Sequence, residues 1–249
     1  MVKILNNINN TIGASNAGVT NTLTIQNPDN SNAASHAQSL LTVGGTSGGN
    51  PWQQWTVGTT RSYSMGITNT TAEESLRINT NNSASVSPIT GTNLWNMRTS
   101  GVRTMPLQPA FQVWATSAQT NVTGDGTPYV IQYATEIGDQ GSNFSTPNFT
   151  APVTGIYFFC STLAMTGLGP AHTFMRSRII INGDENSGVA YAESNPHAIS
   201  YATSSAFSGS VVYPLNAGDQ ISVYFQVNNG AKTVSLTIDN SFFSGFLIA

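Results

Sequence analysis

The chain has 249 residues and a net charge near -3, with only 8% of its residues charged against roughly 25% in ordinary soluble domains. Ser, Thr and Asn supply about a third of it, so its surface is polar without a basic field, which excludes nucleic-acid binding as the main activity. A 39% hydrophobic content suffices for a core in one large or two small domains, and the single Cys excludes an intrachain disulfide.

Met1 to Leu5 begins like a signal peptide but turns at once into Asn6-Asn7-Ile8-Asn9-Asn10, which leaves no apolar region to translocate. The expectation is synthesis in a cytoplasm. No segment reaches the ~18 apolar residues of a membrane span, so no membrane partner is expected. Short apolar or alternating runs recur between turn residues, at Thr22–Ile25, Tyr63–Ile67, Leu76–Ile78 and Leu94–Met97. Long helical periodicity is absent, and Thr71 to Arg77 is the one short helical candidate. The chain reads as all-β. Met105-Pro106-Leu107-Gln108-Pro109 marks an extended linker, giving two parts, 1–105 and 106–249. The first part has its apolar residues in scattered pairs and should need burial against identical neighbours or a docking surface.

The second part carries a denser pattern. Tyr133, Asp139, Phe144, Phe149, Gly155, Tyr157 and Phe159 follow one another in an order that resembles the signature of the jelly-roll head shared by complement component one q subunits and tumour necrosis factor ligands. Two details depart from it: Phe144 and Phe149 lie two residues closer than usual, and Ser161 stands where a further aromatic is customary. Leu215-Asn216-Ala217-Gly218-Asp219 resembles the family's turn into a late strand, and Ser241–Leu247 resembles its terminal strand. The resemblance covers about residues 110 to 249 and implies a C-terminal jelly-roll β-sandwich. The N-terminal part, around Trp55–Gly58, Tyr63–Asn69 and Trp95–Val102, resembles the β-rich body segments of phage fibres and tailspikes.

Side chains alternate along a strand, so Ile156–Ser161 places Tyr157 and Phe159 on one face and Ile156, Phe158 and Cys160 on the other, and both faces are apolar. An apolar outer face at Phe158, Phe243 and Leu247 needs a cover. In the resembled family that cover is a trimer axis, which implies a homotrimer with Phe158, Cys160, Phe243 and Leu247 near it.

Catalytic and metal patterns are weak. Gly45-Thr46-Ser47-Gly48-Gly49 matches the string of a nucleophile elbow, but Asn50-Pro51 blocks the helix such an elbow requires. His36, His172 and His197 stand far apart without metal spacing and read as surface or loop residues. Asp139, Asp184 and Asp219 suit turns, and calcium ligation stays open for them because some relatives of the resembled head bind calcium. The chain reads as no enzyme, with no cofactor. The expected role is a phage virion surface protein, a trimer bound to the major capsid protein or other virion proteins as a capsid decoration or short head fibre. A tail fibre or lectin-like adhesin for host surface glycans is the alternative. Its binding loop, within Asn182 to Ser205, would use Tyr191, His197 and Tyr201, and ordinary strand connection is the plain reading of the same loop.

Overall fold

A computed structural model describes residues 50–57, 61–68, 74–81, 91–196, 203–238 and 240–249. Every regular element among them is a strand, and the chain divides into two compact units. The smaller holds β1 (Trp52–Val57), β2 (Arg61–Thr68) and β3 (Ser75–Asn81), paired antiparallel in that order. Asn93–Met97 and Gly101–Ala249 form the larger unit, so the division falls ahead of the Met105–Pro109 segment. Its Asn93–Met97 segment belongs to β4 (Thr92–Arg98), which meets β5 (Arg103–Thr104) through the pairs Asn96 with Thr104 and Met97 with Arg103.

The rest of the larger unit is a two-layer antiparallel sandwich. One layer contains β6 (Ala110–Trp114), β7 (Gln119–Thr123), β9 (Thr135–Gln140) and β12 (Gly155–Thr166), with β15 (Ser204–Leu215), β17 (Val234–Leu236) and β18 (Phe242–Leu247). The other contains β8 (Tyr129–Val130), β10 (Phe144–Ser145), β11 (Asn148–Thr150), β13 (Phe174–Ile181), β14 (Ala190–Ser194) and β16 (Gln220–Asn228). Strand β12 organises the first layer, running its whole length beside β15 on one edge and beside β18 and then β17 on the other. Such neighbours, distant in sequence, are the crossovers of a jelly roll.

The aromatic signature builds the core. Tyr133, Phe149, Tyr157 and Phe159 are buried between the layers, and Phe144 with them. The Phe111 ring stacks on Phe149 at 4.6 Å and on Phe144 at 5.5 Å, while Phe149 meets Tyr157 edge-on at 5.8 Å. Two glycines are fixed by close approach. A Cβ on Gly245 would sit 2.4 Å from Phe159 Cδ1, and one on Gly155 would sit 2.6 Å from the Ala249 carbonyl oxygen.

The structure corrects the expected outer face at two positions. Phe243 is fully buried in the core, with its ring 4.9 Å from Phe111 and 5.9 Å from both Phe159 and Tyr133. Its register explains this: Phe243 lies opposite Ser161, whose small inward side chain leaves the space that the customary aromatic would fill. Leu247 lies opposite Tyr157 on the same inward side and packs against the core. A shift of one residue in strand parity moves an apolar set to the other face, and here the outward set of β18 is Phe242, Ser244 and Phe246.

Candidate functional site

The outer face of the β12 layer changes character along its length. At one end Ile156, Val212 and Phe246 are 43%, 56% and 47% exposed, and the Phe158 ring lies 5.4 Å from that of Phe246. Phe158 is flanked by Val212 on β15 and Phe246 on β18, and Ile156 by Pro214, so these side chains form one contiguous patch. Past it, Cys160 is flanked by Ser210 and Ser244, with its sulfur 3.1 Å from the Ser244 hydroxyl. One residue pair further out, Thr162 and Ser208 share a hydroxyl hydrogen bond of 3.0 Å. Below the patch an apolar groove of about 660 Å³ runs between Leu107, Pro109, Val153, Leu247 and Ile248. Exposed apolar area of this extent marks an interaction surface.

Phe158 and Cys160 therefore stand on the expected face, whereas Phe243 and Leu247 do not. Ile156 also stands outward as the strand alternation predicts, and Phe246 and Val212 are the residues that sequence reading missed. Gly245 was the available signal, since a glycine inside a strand marks close approach of another group and so identifies the inward parity of β18.

The carboxylates considered for calcium are occupied by turns. Asp139 accepts from the backbone N–H groups of Asn143 at 3.1 Å and Phe144 at 2.8 Å, closing the turn between β9 and β10. Asp184 accepts from the Asn186 N–H at 2.8 Å. Asp219 accepts from the Asn182 side-chain amide at 3.0 Å and the Asn216 N–H at 2.8 Å, and these bonds, Asn182 first, hold its carboxyl below the ordinary value of 3.8. The Leu215–Asp219 turn thus forms as its sequence suggests, with Gly218 at a φ of 94°. Among the described residues no cluster of three metal-ligating side chains occurs.

His172 lies in the loop between β12 and β13, as expected of a loop residue, but is 2% exposed and not at the surface. Its Nδ1 lies 2.7 Å from the Gly169 backbone nitrogen and its Nε2 2.9 Å from the Ala231 carbonyl oxygen. A backbone N–H only donates, so Nδ1 accepts and the ring proton sits on Nε2, donating to Ala231. The ring fits because Gly230 and Gly124 lack side chains; a Cβ on Gly230 would lie 2.3 Å from the imidazole.

Of the ligand-loop residues, Tyr191 lies on β14 and is 56% exposed, with the Arg178 guanidinium 4.8 Å from its ring centre. Arg178 also pairs with Glu193 at 3.6 Å and donates to the Glu185 carbonyl at 2.8 Å. His197 and Tyr201 lie outside the described residues, as do Ser47 and His36. The site is a broad surface on a rigid sheet. Its chemistry is that of a contact, with an apolar end and a hydroxyl-lined end.

Comparison with known proteins agrees with this architecture. The sequence matches the C1q domain over residues 110–248, more than half of the chain. Among solved structures, the globular domain of the zebrafish complement 1qA protein is 21% identical, with 57% of this chain and 98% of that one covered and a TM-score of 0.41. Murine APRIL is 13% identical over 57% of this chain and 99% of its own, with a TM-score of 0.42. No curated protein matches. The residues matched include the buried aromatic signature and the strands that carry the apolar outer patch, and the chain belongs to the C1q domain family.

Proposed function

We propose that this protein is a non-enzymatic homotrimer that works by binding, with the C1q-like head as its displayed part. The observation that carries the reading is the contiguous patch of exposed Ile156, Val212 and Phe246 around the half-buried Phe158. Left in water, each such side chain forgoes roughly 1.5–3 kcal/mol of burial. Domains of this family form homotrimers, and the patch lies on a flat sheet face suited to meeting its own copies. The non-enzymatic reading is supported by how the polar groups are used: the turn carboxylates and His172 hold backbone groups rather than facing a cleft.

The role proposed for the trimer is that of a phage virion surface protein, with the N-terminal β-rich part docking on the particle and the head projecting outward. The fibre-like N-terminal sequence and the sparsely charged composition support it. Its partners are then its own copies and the major capsid or another virion protein, without nucleic acid or membrane. Tyr191, exposed and stacked by an arginine, supports a second reading as a glycan-binding head.

Sedimentation tests the trimer. Phe246→Asp should convert a trimer into a folded monomer, and a wild-type protein that is already monomeric at micromolar concentration would refute the reading. Particles prepared with and without the protein, imaged at low resolution, test the virion role. Loss of glycan binding in Tyr191→Ala, with particle attachment retained, would favour the second reading.

A further inference from the structure

The small N-terminal sheet has its polarity reversed. Along β2 exposure alternates residue by residue, yet the buried positions are Ser62, Ser64, Gly66 and Thr68 and the exposed ones Arg61, Tyr63, Met65 and Ile67. Neighbouring strands keep this division except at Trp52 and Arg77, which flank Gly66 on the covered face. Trp55 pairs with Tyr63, Met65 with Ile78 and Ile67 with Leu76, so one face gathers the apolar side chains. On the other face Ser75 and Asn79 are buried too, and the Thr68 and Ser75 hydroxyls bond at 2.9 Å. Trp55, Tyr63, Met65 and Ile67 are 53%, 44%, 38% and 50% exposed. Water favours the opposite arrangement in a half-covered antiparallel sheet.

We propose that this apolar face is a second self-association surface, covered by the same face of the neighbouring copies in the trimer. It rests on the trimeric reading of the head. Two features select a second copy as the occupant. Among the described residues of β1–β3, Arg61, at one end, is the only charged residue on the face, so no acidic or basic patch selects a partner of opposite charge. Fewer than thirty residues join Asn81 to Ala110, the first strand residue of the head sandwich, so a head trimer tethers the three faces at an effective concentration of about millimolar.

Hydroxyl-radical footprinting of the intact full-length protein tests the proposal, because Trp, Tyr and Met side chains label readily when open. In the trimer, labelling of Trp55, Tyr63 and Met65 should be about tenfold below that of Tyr191, an exposed tyrosine on the far layer of the head. In full-length Met65→Asp the protein should stay trimeric through its head while Trp55 and Tyr63 label as freely as Tyr191. If wild-type protein sediments as a trimer but labels freely at Trp55 and Tyr63, the face is not a self-association surface and only this inference falls. If it sediments as a monomer, both this inference and the trimeric reading fall.

Discussion

The N-terminal sheet and the C1q-like head place apolar side chains on opposite terms. In the head, β12 turns Tyr157, Phe159 and Leu163 inward against a second layer, and a single chain buries them almost completely. In β2 the same alternation turns Tyr63, Met65 and Ile67 outward and encloses serines and threonine instead. A two-layer sandwich can satisfy one apolar face by itself. A sheet whose enclosed face is polar leaves its hydrophobic free energy to be recovered by association, whereas the head closes its own core and, in the proposed trimer, associates through its outer patch.

The most disruptive way to break this contrast is to place a charge at each kind of site. Phe243→Asp puts a carboxylate among Phe111, Tyr133 and Phe159 and should cost more than about 4 kcal/mol, abolishing the cooperative thermal transition of the head. Phe246→Asp, three residues on and outward, should leave the circular dichroism spectrum intact and change only the mass in solution. Next in size is Gly245→Ala. Its methyl group would meet the Phe159 ring and the Phe158 carbonyl oxygen, 2.4 Å and 2.9 Å away, and overpacking of this kind costs about 1–3 kcal/mol, seen as a lower midpoint in chemical denaturation.

Tyr133→Phe should move stability the other way. The Tyr133 hydroxyl is buried without a hydrogen-bond partner, and burial pushes its ionisation well above the usual tyrosine value. Deleting that oxygen should raise stability by about 1 kcal/mol, and a loss of similar size would show a partner for the hydroxyl. The smallest effect is expected at Asp219. Its carboxyl is held below 3.8 by Asn182 and Asn216, so its contribution is present above that pH and is lost as pH falls through the depressed value. Thermal midpoints of Asp219→Asn should therefore fall less on acidification than those of the unaltered protein, and parallel curves would contradict the assignment.

Much of the head could be read from its sequence because its signals are local. Gly-x-Tyr-x-Phe at Gly155 fixed the inward parity of β12, and the Gly218-Asp219 turn carries its own capping groups. Parity in β18 could not be read the same way. Phe242 and Phe243 are both apolar neighbours, as are Phe246 and Leu247, and the choice between faces depends on the pairing of Phe243 with Ser161, some eighty residues away. The burial of His172 likewise depends on glycines at 124 and 230, which no spacing around the histidine announces. The inverted face of β2 was visible as alternation, but alternation does not say which side is covered.

The histidine held between Gly169 and Ala231 has a use beyond structure. With its single ring proton on Nε2 and directed at a carbonyl, His172 should give one downfield, slowly exchanging imidazole N–H resonance in a proton spectrum. That signal depends on the loops after β12 and after β16 being closed on the ring together. It therefore provides a label-free gauge of whether this end of the head stays shut while the opposite, apolar end is opened by mutation or dilution.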